Sequence, residues 1–391
     1  MPNEPQIKAL PTRRRAWFFW TLVLIFVAAL PTVIFYTTGY RLSFENDATS
    51  IVTTGGMYVD TTDTDVDVYL DEEQFTRPRL FQSAYYLQNI AAGQHRIVVQ
   101  AADVHTWVKE LPVDEYVVTE ATAFNVPTTP QLRPITEYVT DGGLAVYQVA
   151  TTTDATTIIF GVATSTEAFV LSTSTSVAAF DVNPEYEFIS TLFASSSTST
   201  VSVFADNAPD ALFGFSGVGE VLSSTTATTS TTTIEVIERN DIQLIDRGWE
   251  VYAVWDGEEQ DIPYYFCVNQ SSRASTSARY GEHVAEAIYS MLGTTTATST
   301  VFVQDERICR TEIKIDHLQQ DVYDYNFFPG SAGQVVLHLQ DGIYVTEIDD
   351  RAWQNTQPLL LGGDVLVVFE NDQIYIQRDE YYFELLTELD T

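Results

Sequence analysis

FFPGSAGQVVLHLQDGIYVTEID, residues 327–349, is the stretch on which the fold turns. Pro329-Gly330 supplies a turn, and the apolar run 334–339 follows it. Asp341-Gly342 then stands between that run and a second one, 343–348, rich in β-branched and aromatic residues. Two apolar runs of strand length flanking an Asp-Gly pair predict a β-hairpin. Working downstream, residues 364–369, 373–377 and 381–386 read as further strands. Residues 365–369 are apolar throughout, as expected of a strand buried on both faces. Working upstream, short strands are predicted at 144–149, 157–162, 168–171, 201–204, 234–237, 242–245 and 249–255, with more Asp-Gly turns at 141–142 and 256–257. Ser/Thr tracts (151–153, 172–176, 195–200, 223–233 and 294–300) separate them and are compatible with loops or hairpin arms. One helix is predicted at 280–292, where Val284, Ala287, Ile288, Met291 and Leu292 share a face. Many short strands with frequent turns point to a propeller or a sandwich.

The unit FFP…VVLHLQDGIYVTEID resembles one blade of a WD40- or YVTN-like β-propeller, although no strict repeat of fixed period accompanies it. A β-propeller-like domain over residues 135–391 is therefore expected. Asp341-Gly342-Ile343-Tyr344-Val345, together with Arg351, Gln354-Asn355 and Gln357-Pro358-Leu359, is also similar to a module found beside PEGA domains in small-genome uncultured bacteria. That resemblance implies an envelope protein and no particular activity.

Ahead of this region, residues 51–127 read as a small β domain. Strands are predicted at 57–60, 65–70, 94–99, 107–113 and 117–124, with Asp, Gly and Thr in the turns. Val66-Asp67-Val68-Tyr69-Leu70-Asp71, then 87–90, then Ala92-Gly93-Gln94-His95-Arg96-Ile97-Val98-Val99, resembles the PEGA domain, in which a strand ending in Asp precedes an L-x-x-G-x-H-x-V-x-V run. Gly93 and His95 match its Gly-His pair. Thr62-Asp63-Thr64-Asp65 replaces the turn that names the family, and no Gly-Tyr pair follows near 103–105. The resemblance implies a PEGA-like β-sandwich and a surface-associated role. A proline-dense linker, 128–134, is expected to separate this domain from the next.

The N-terminal end decides the compartment. Residues 16–36, AWFFWTLVLIFVAALPTVIFY, carry no charge. A hydrocarbon core needs roughly 20 such residues in helical form. Trp17 and Trp20 at one end and Tyr36 at the other fit the headgroup level, so these three are expected to anchor the span in membrane lipid. Lys8, Arg13, Arg14 and Arg15 precede it, which assigns residues 1–15 to the cytoplasm and everything beyond a short stalk, 37–50, to the outside. A cleaved signal peptide is the alternative, but the apolar run is longer than an ordinary signal core, and 37–39 make a poor small-residue cleavage site.

The 391 residues include 54 acidic and 19 basic side chains, a net charge of −35, and lysine only at 8, 109 and 314. This disfavours nucleic acid as a partner, since phosphate needs basic neutralisation. It fits a salt-adapted or simply well-solvated acidic surface. The two cysteines, Cys267 and Cys309, each in a strand-like run, allow one intramolecular pairing, which is expected to form in an oxidising compartment.

No motif carries chemistry. The histidines (95, 105, 283, 317 and 338) have no metal-ligand spacing, and His283 with Glu282 and Glu286 reads as a solvated helix face. Ser216 in GFSGVG misses the nucleophile elbow. Asp60, Asp63, Asp65, Asp67 and Asp71 lack the calcium-loop glycine and glutamate. No catalytic residue, cofactor or metal is therefore expected. The reading is mainly β: a transmembrane helix, a PEGA-like domain and a propeller-like domain, forming a non-enzymatic envelope protein that binds another envelope protein or a cell-wall polymer. An extracytoplasmic hydrolase on a propeller is the alternative.

Overall fold

The computed structural model describes residues 11–37, 40–43, 50–61, 65–75, 84–151, 158–164, 168–174, 180–199, 236–248, 250–269, 277, 282, 286, 301–304 and 307–387. The expected helix 280–292, apart from residues 282 and 286, lies outside them, as do the strand 201–204, Ser216 and His283. The chain is mainly β, with an apolar helix α1, Thr12–Thr37, and a second helix α2, Pro184–Ser199. It divides into two compact units.

The first unit comprises Met1–Asn125, Pro263–Arg310 and Asp350–Asn355. One of its sheets orders Tyr40–Ser43, Ser50–Thr61 and Ala84–Ala91 antiparallel, with Val118–Ala123 lying parallel to Ser50–Thr61. A second is antiparallel in the order Glu73–Phe75, Asp67–Leu70, Gly93–Gln100, Trp107–Val113. Alternate residues of both sheets point inward, as a period of two requires. Met57, Val59, Val68, Leu87, Ile97, Val99, Trp107 and Leu111 are thereby removed from water. The Tyr85 hydroxyl donates to the Val66 carbonyl at 2.6 Å and ties one sheet to the segment entering the other. A third sheet, Cys267–Asn269, Arg307–Arg310 and Val301–Gln304, belongs to this unit as well. It thus lies outside the second unit, although the expected propeller-like domain, 135–391, includes these residues. The segment 350–355 joins through an ion pair of Asp350 with Arg310, both buried, and through Asn355 Oδ1, which accepts from the Val108 amide.

The second unit comprises Val126–Ile262, Thr311–Asp349 and Thr356–Thr391. Its described residues form four antiparallel sheets. The first orders Ala168–Ser174, Ile158–Thr164, Ala145–Thr151, Tyr138–Val139 and Asp181–Val182. The second orders Ile237–Arg239, Ile242–Asp246, Val251–Trp255 and Glu312–Lys314. The third orders Val322–Phe327, Gln334–Leu339, Gly342–Glu347 and Thr356–Leu361, and the fourth Leu366–Glu370, Gln373–Arg378, Tyr381–Leu386 and Gln131–Ile135. None of the described sheets closes on itself. The hairpin read from 327–349 is the centre of the third sheet: Gln334–Leu339 pairs with Gly342–Glu347, and both strands are buried along their whole length.

Three local readings are corrected. Residues 131–134, expected within a linker, form a strand whose Gln131 pairs with Leu386 and Ile135 with Tyr382. Pro134 is tolerated because this strand lies at the edge of its sheet. The run 365–369 is not buried on both faces, since Leu366 is 53% exposed. And the Ser/Thr tract 195–200, expected as loop or hairpin arm, is for residues 195–199 the last part of a helix that begins at Pro184. Asn183 caps it by accepting the Glu185 amide at 3.1 Å, Pro184 occupies the first turn where no amide partner is needed, and Glu185 and Glu187 face the positive end of the dipole. Ile189 and Phe193 of α2 pack with Ile135 and Tyr375 in one buried cluster.

Candidate functional site

The anchor is built first. Helix α1 contains no buried residue. Trp17 is 70%, Trp20 67% and Tyr36 49% exposed, so the three expected anchor residues face whatever surrounds the helix. The helix is long and apolar enough to cross a membrane. Its hydroxyls return to its own backbone, Thr21 to the Trp17 carbonyl at 2.8 Å and Thr32 to the Ala28 carbonyl at 3.1 Å, which leaves them satisfied in a medium without water.

Beyond the helix, aromatic rings continue into the first unit. Phe35 stacks on Tyr40 with centroids 5.6 Å apart, and Tyr40 meets Tyr116 edge-on at 6.2 Å. Tyr116 sits in a turn whose backbone is anchored twice on the strand Ser50–Thr61: its own amide donates to the Thr54 carbonyl at 3.1 Å, and the Gly56 amide donates to the Val117 carbonyl at 3.0 Å. Gly55 permits that approach, because a Cβ there would fall 2.2 Å from the Asp114 carbonyl oxygen.

Cys267 and Cys309 lie directly opposite one another on antiparallel strands and are bonded, with an S–S distance of 2.02 Å and Cα atoms 4.0 Å apart. Both are buried. The expected pairing is therefore present. Beside it the first unit has a small, partly polar cleft lined among others by Asp114, Thr119, Tyr264, Cys267, Arg307 and Arg351. The Arg351 guanidinium lies 4.7 Å from the centre of the Tyr264 ring and donates to the Glu120 carbonyl at 2.5 Å. Tyr264 in turn shares a 2.8 Å hydrogen bond with Thr122.

In the second unit Arg239 joins three sheets. It donates to the carbonyls of Phe328 (2.8 Å) and Ser331 (3.0 Å), pairs with Asp372, and lies 5.5 Å from the Phe327 ring centre. Burial pushes the Asp372 carboxyl up, but the Gly330 amide and Arg239 outweigh it and hold it below the usual carboxylate value. Arg133 plays a similar part: it is bidentate to Glu185 of α2 (2.9 and 2.5 Å) and bonded to Glu384 at 2.5 Å.

The histidines are dispersed. His95 contacts Asp71 and the Ala91 carbonyl, His317 Nδ1 lies 2.5 Å from the Gln320 carbonyl, and His338 is buried edge-on against Tyr323. Burial pushes both His105 and His338 below the ordinary imidazole value. Among the described acids of the early cluster, Asp67 accepts from Gln74 at 2.9 Å and Asp60 from the Thr61 amide at 3.1 Å. Among the described residues no group of three His, Cys, Asp or Glu is placed to hold a metal. Lys109, on the expected strand 107–113, is fully buried, which its charge alone does not suggest. The signal was present, since Trp107, Lys109 and Leu111 alternate onto one strand face.

No protein-family model matches the chain, and no curated protein matches it.

Proposed function

We propose that this chain is a non-enzymatic, single-pass envelope protein, with residues 1–15 in the cytoplasm and both β units outside. The observation that carries the reading is α1, a helix of 26 residues with no residue buried. Leaving such a surface in water forfeits roughly 25 cal/mol for every Å² of apolar area, which a bilayer recovers. The bonded Cys267–Cys309 pair favours an oxidising compartment for the first unit. The PEGA-like reading of that unit gains support from Asp71 and His95, the two polar residues of its motif, which meet in space.

The second unit is a propeller-type scaffold on this reading. It is supported by four successive antiparallel sheets and by the pairing of its first strand, Gln131–Ile135, with its last, Tyr381–Leu386. Its role is to present a surface to another envelope protein or a wall polymer. The test is protease accessibility in cells expressing the full chain, combined with alkaline carbonate extraction. The acidic units should be cleaved from outside while the protein stays in the membrane pellet. Full protection of both units refutes the orientation, and release into the carbonate supernatant refutes the anchor.

A further inference from the structure

We propose that the turn at residues 114–118 lies in the headgroup layer of the membrane that holds α1, with Tyr116 and Val117 presented to phospholipid. The inference rests on the anchoring reading above and adds a second, peripheral contact to it.

Depth comes first. At 1.5 Å per residue the uncharged run 16–36 spans about 31 Å, close to the roughly 30 Å of a hydrocarbon core. Phe35 is therefore at the outer boundary of the core. Tyr40 stacks on Phe35 and Tyr116 packs on Tyr40, so two ring-to-ring steps lead from the last turn of the span to the 114–118 turn. Tyrosine rings favour that level, where one end of the side chain is apolar and the other wet.

Exposure comes second. Tyr116 is 57%, Val117 44% and Val118 40% exposed, three consecutive large apolar residues at one turn. Val117 and Val118 are also at the rim of the cleft beside the disulfide, and the backbone fixes Tyr116 at the tip of the turn. Tyr116 has φ +63°, a left-handed conformation that is uncommon for a bulky residue. The two hydrogen bonds to Thr54 and Gly56, and the space left by Gly55, hold the turn in that form. The phenol's hydrogen bond with Tyr40, then desolvation and the nearby Glu115, push it up to about 12. Continuity with the span selects the bilayer as occupant over a second copy of the chain.

The experiment uses the full chain in phosphatidylcholine vesicles without reductant, so that the native disulfide stays closed. A nitrobenzoxadiazole label is placed in turn on V117C, on L24C within the span and on E259C in the second unit. Quenching is read with nitroxide-labelled phospholipid and with acrylamide, a neutral quencher that the negative chain does not repel. The label at 117 should be quenched several-fold more by shallow lipid nitroxide than the label at 259, and shielded from acrylamide. If acrylamide reaches 117 as fully as 259 while 24 remains lipid-quenched, the turn faces water and the proposal fails although the anchor stands. If the label at 24 escapes the lipid nitroxide, the anchoring reading falls and takes this one with it. Shielding at 117 that disappears on raising the lipid-to-protein ratio identifies a second copy as the cover and also overturns the proposal.

Discussion

His95 reaches across the sheet to Asp71: its Nδ1 lies 2.5 Å from Asp71 Oδ2, while Asp71 Oδ1 accepts the Arg96 amide at 2.9 Å. Asp71 is also the first residue of a tight hairpin turn, with φ +48°. One carboxylate thus closes the turn between Asp67–Leu70 and Glu73–Phe75 and fastens it to the strand Gly93–Gln100. Asparagine tolerates the left-handed conformation and keeps an acceptor, whereas alanine does neither. D71A is therefore expected to lower stability by about 1–2 kcal/mol and D71N by clearly less. Urea midpoints of the two variants check this, and equal losses would refute the role given to the side-chain acceptor.

Gly55 and Gly56 are neighbours with different tasks. A Cβ at 55 would lie 2.2 Å from the Asp114 carbonyl oxygen, and one at 56 would lie 3.3 Å from the Leu87 carbonyl oxygen. The first contact is with backbone and cannot be relieved by a rotamer change. G55A is expected to cost about 1–3 kcal/mol, the range for overpacking, and G56A distinctly less. Thermal melts of both variants in detergent would show the order, and an unchanged G55A would contradict it.

The Cys267–Cys309 bond spans a sequence separation of 42 residues. On the chain-entropy account a loop of that length stabilises by about 4 kcal/mol. C267S/C309S should lose a large part of this, and dithiothreitol should lower the melting temperature of the wild type but not of the double variant. Equal sensitivity of the two to reductant would show that the bond contributes nothing.

Acid should weaken the second unit in two windows. Burial holds the His338 imidazole below its ordinary value, so the unfolded chain binds that proton more readily. The stability His338 contributes is present above pH about 6.5 and is lost as pH falls toward its folded value. His105 in the first unit has the same sign. Asp372, also held low, contributes stability above pH about 4 that disappears on further acidification. H338Q should flatten the unfolding-versus-pH curve below pH about 6.5, and D372N should flatten only the part below pH about 4. Curves parallel to wild type in these windows would refute the assignments.

The third sheet of the second unit was legible because two mostly apolar runs, 335–339 and 343–348, flank an Asp-Gly turn signal. The disulfide was legible because only one pairing existed. The strands 364–369 and 373–377 were legible as apolar runs, but the turns that join such pairs carry another chemistry. Asn240-Asp241 and Asn371-Asp372 make their turns with positive φ at both residues, and Asp71-Glu72 does the same, so none carries the Asp-Gly signature that was sought. Helix α2 was hidden by its Ser/Thr-rich tail, although Asn183-Pro184-Glu185 is a strong start signal. The strand 131–135 was hidden by Pro134, which a local reading takes as a breaker and an edge position accepts. The ring ladder from Phe35 to Tyr116 joins residues far apart in sequence, and no local pattern announces it.

The partner of Gln131–Ile135 is made some 250 residues later, as the separation of 251 between the bonded pair Arg133 and Glu384 records. At the usual pace of synthesis, about 5–20 residues per second, that edge waits tens of seconds before its mate leaves the ribosome. An unfilled edge is a template for stray pairing. Synthesis of this chain thus has a vulnerable interval, which a stalled ribosome would lengthen and a holdase chaperone would guard.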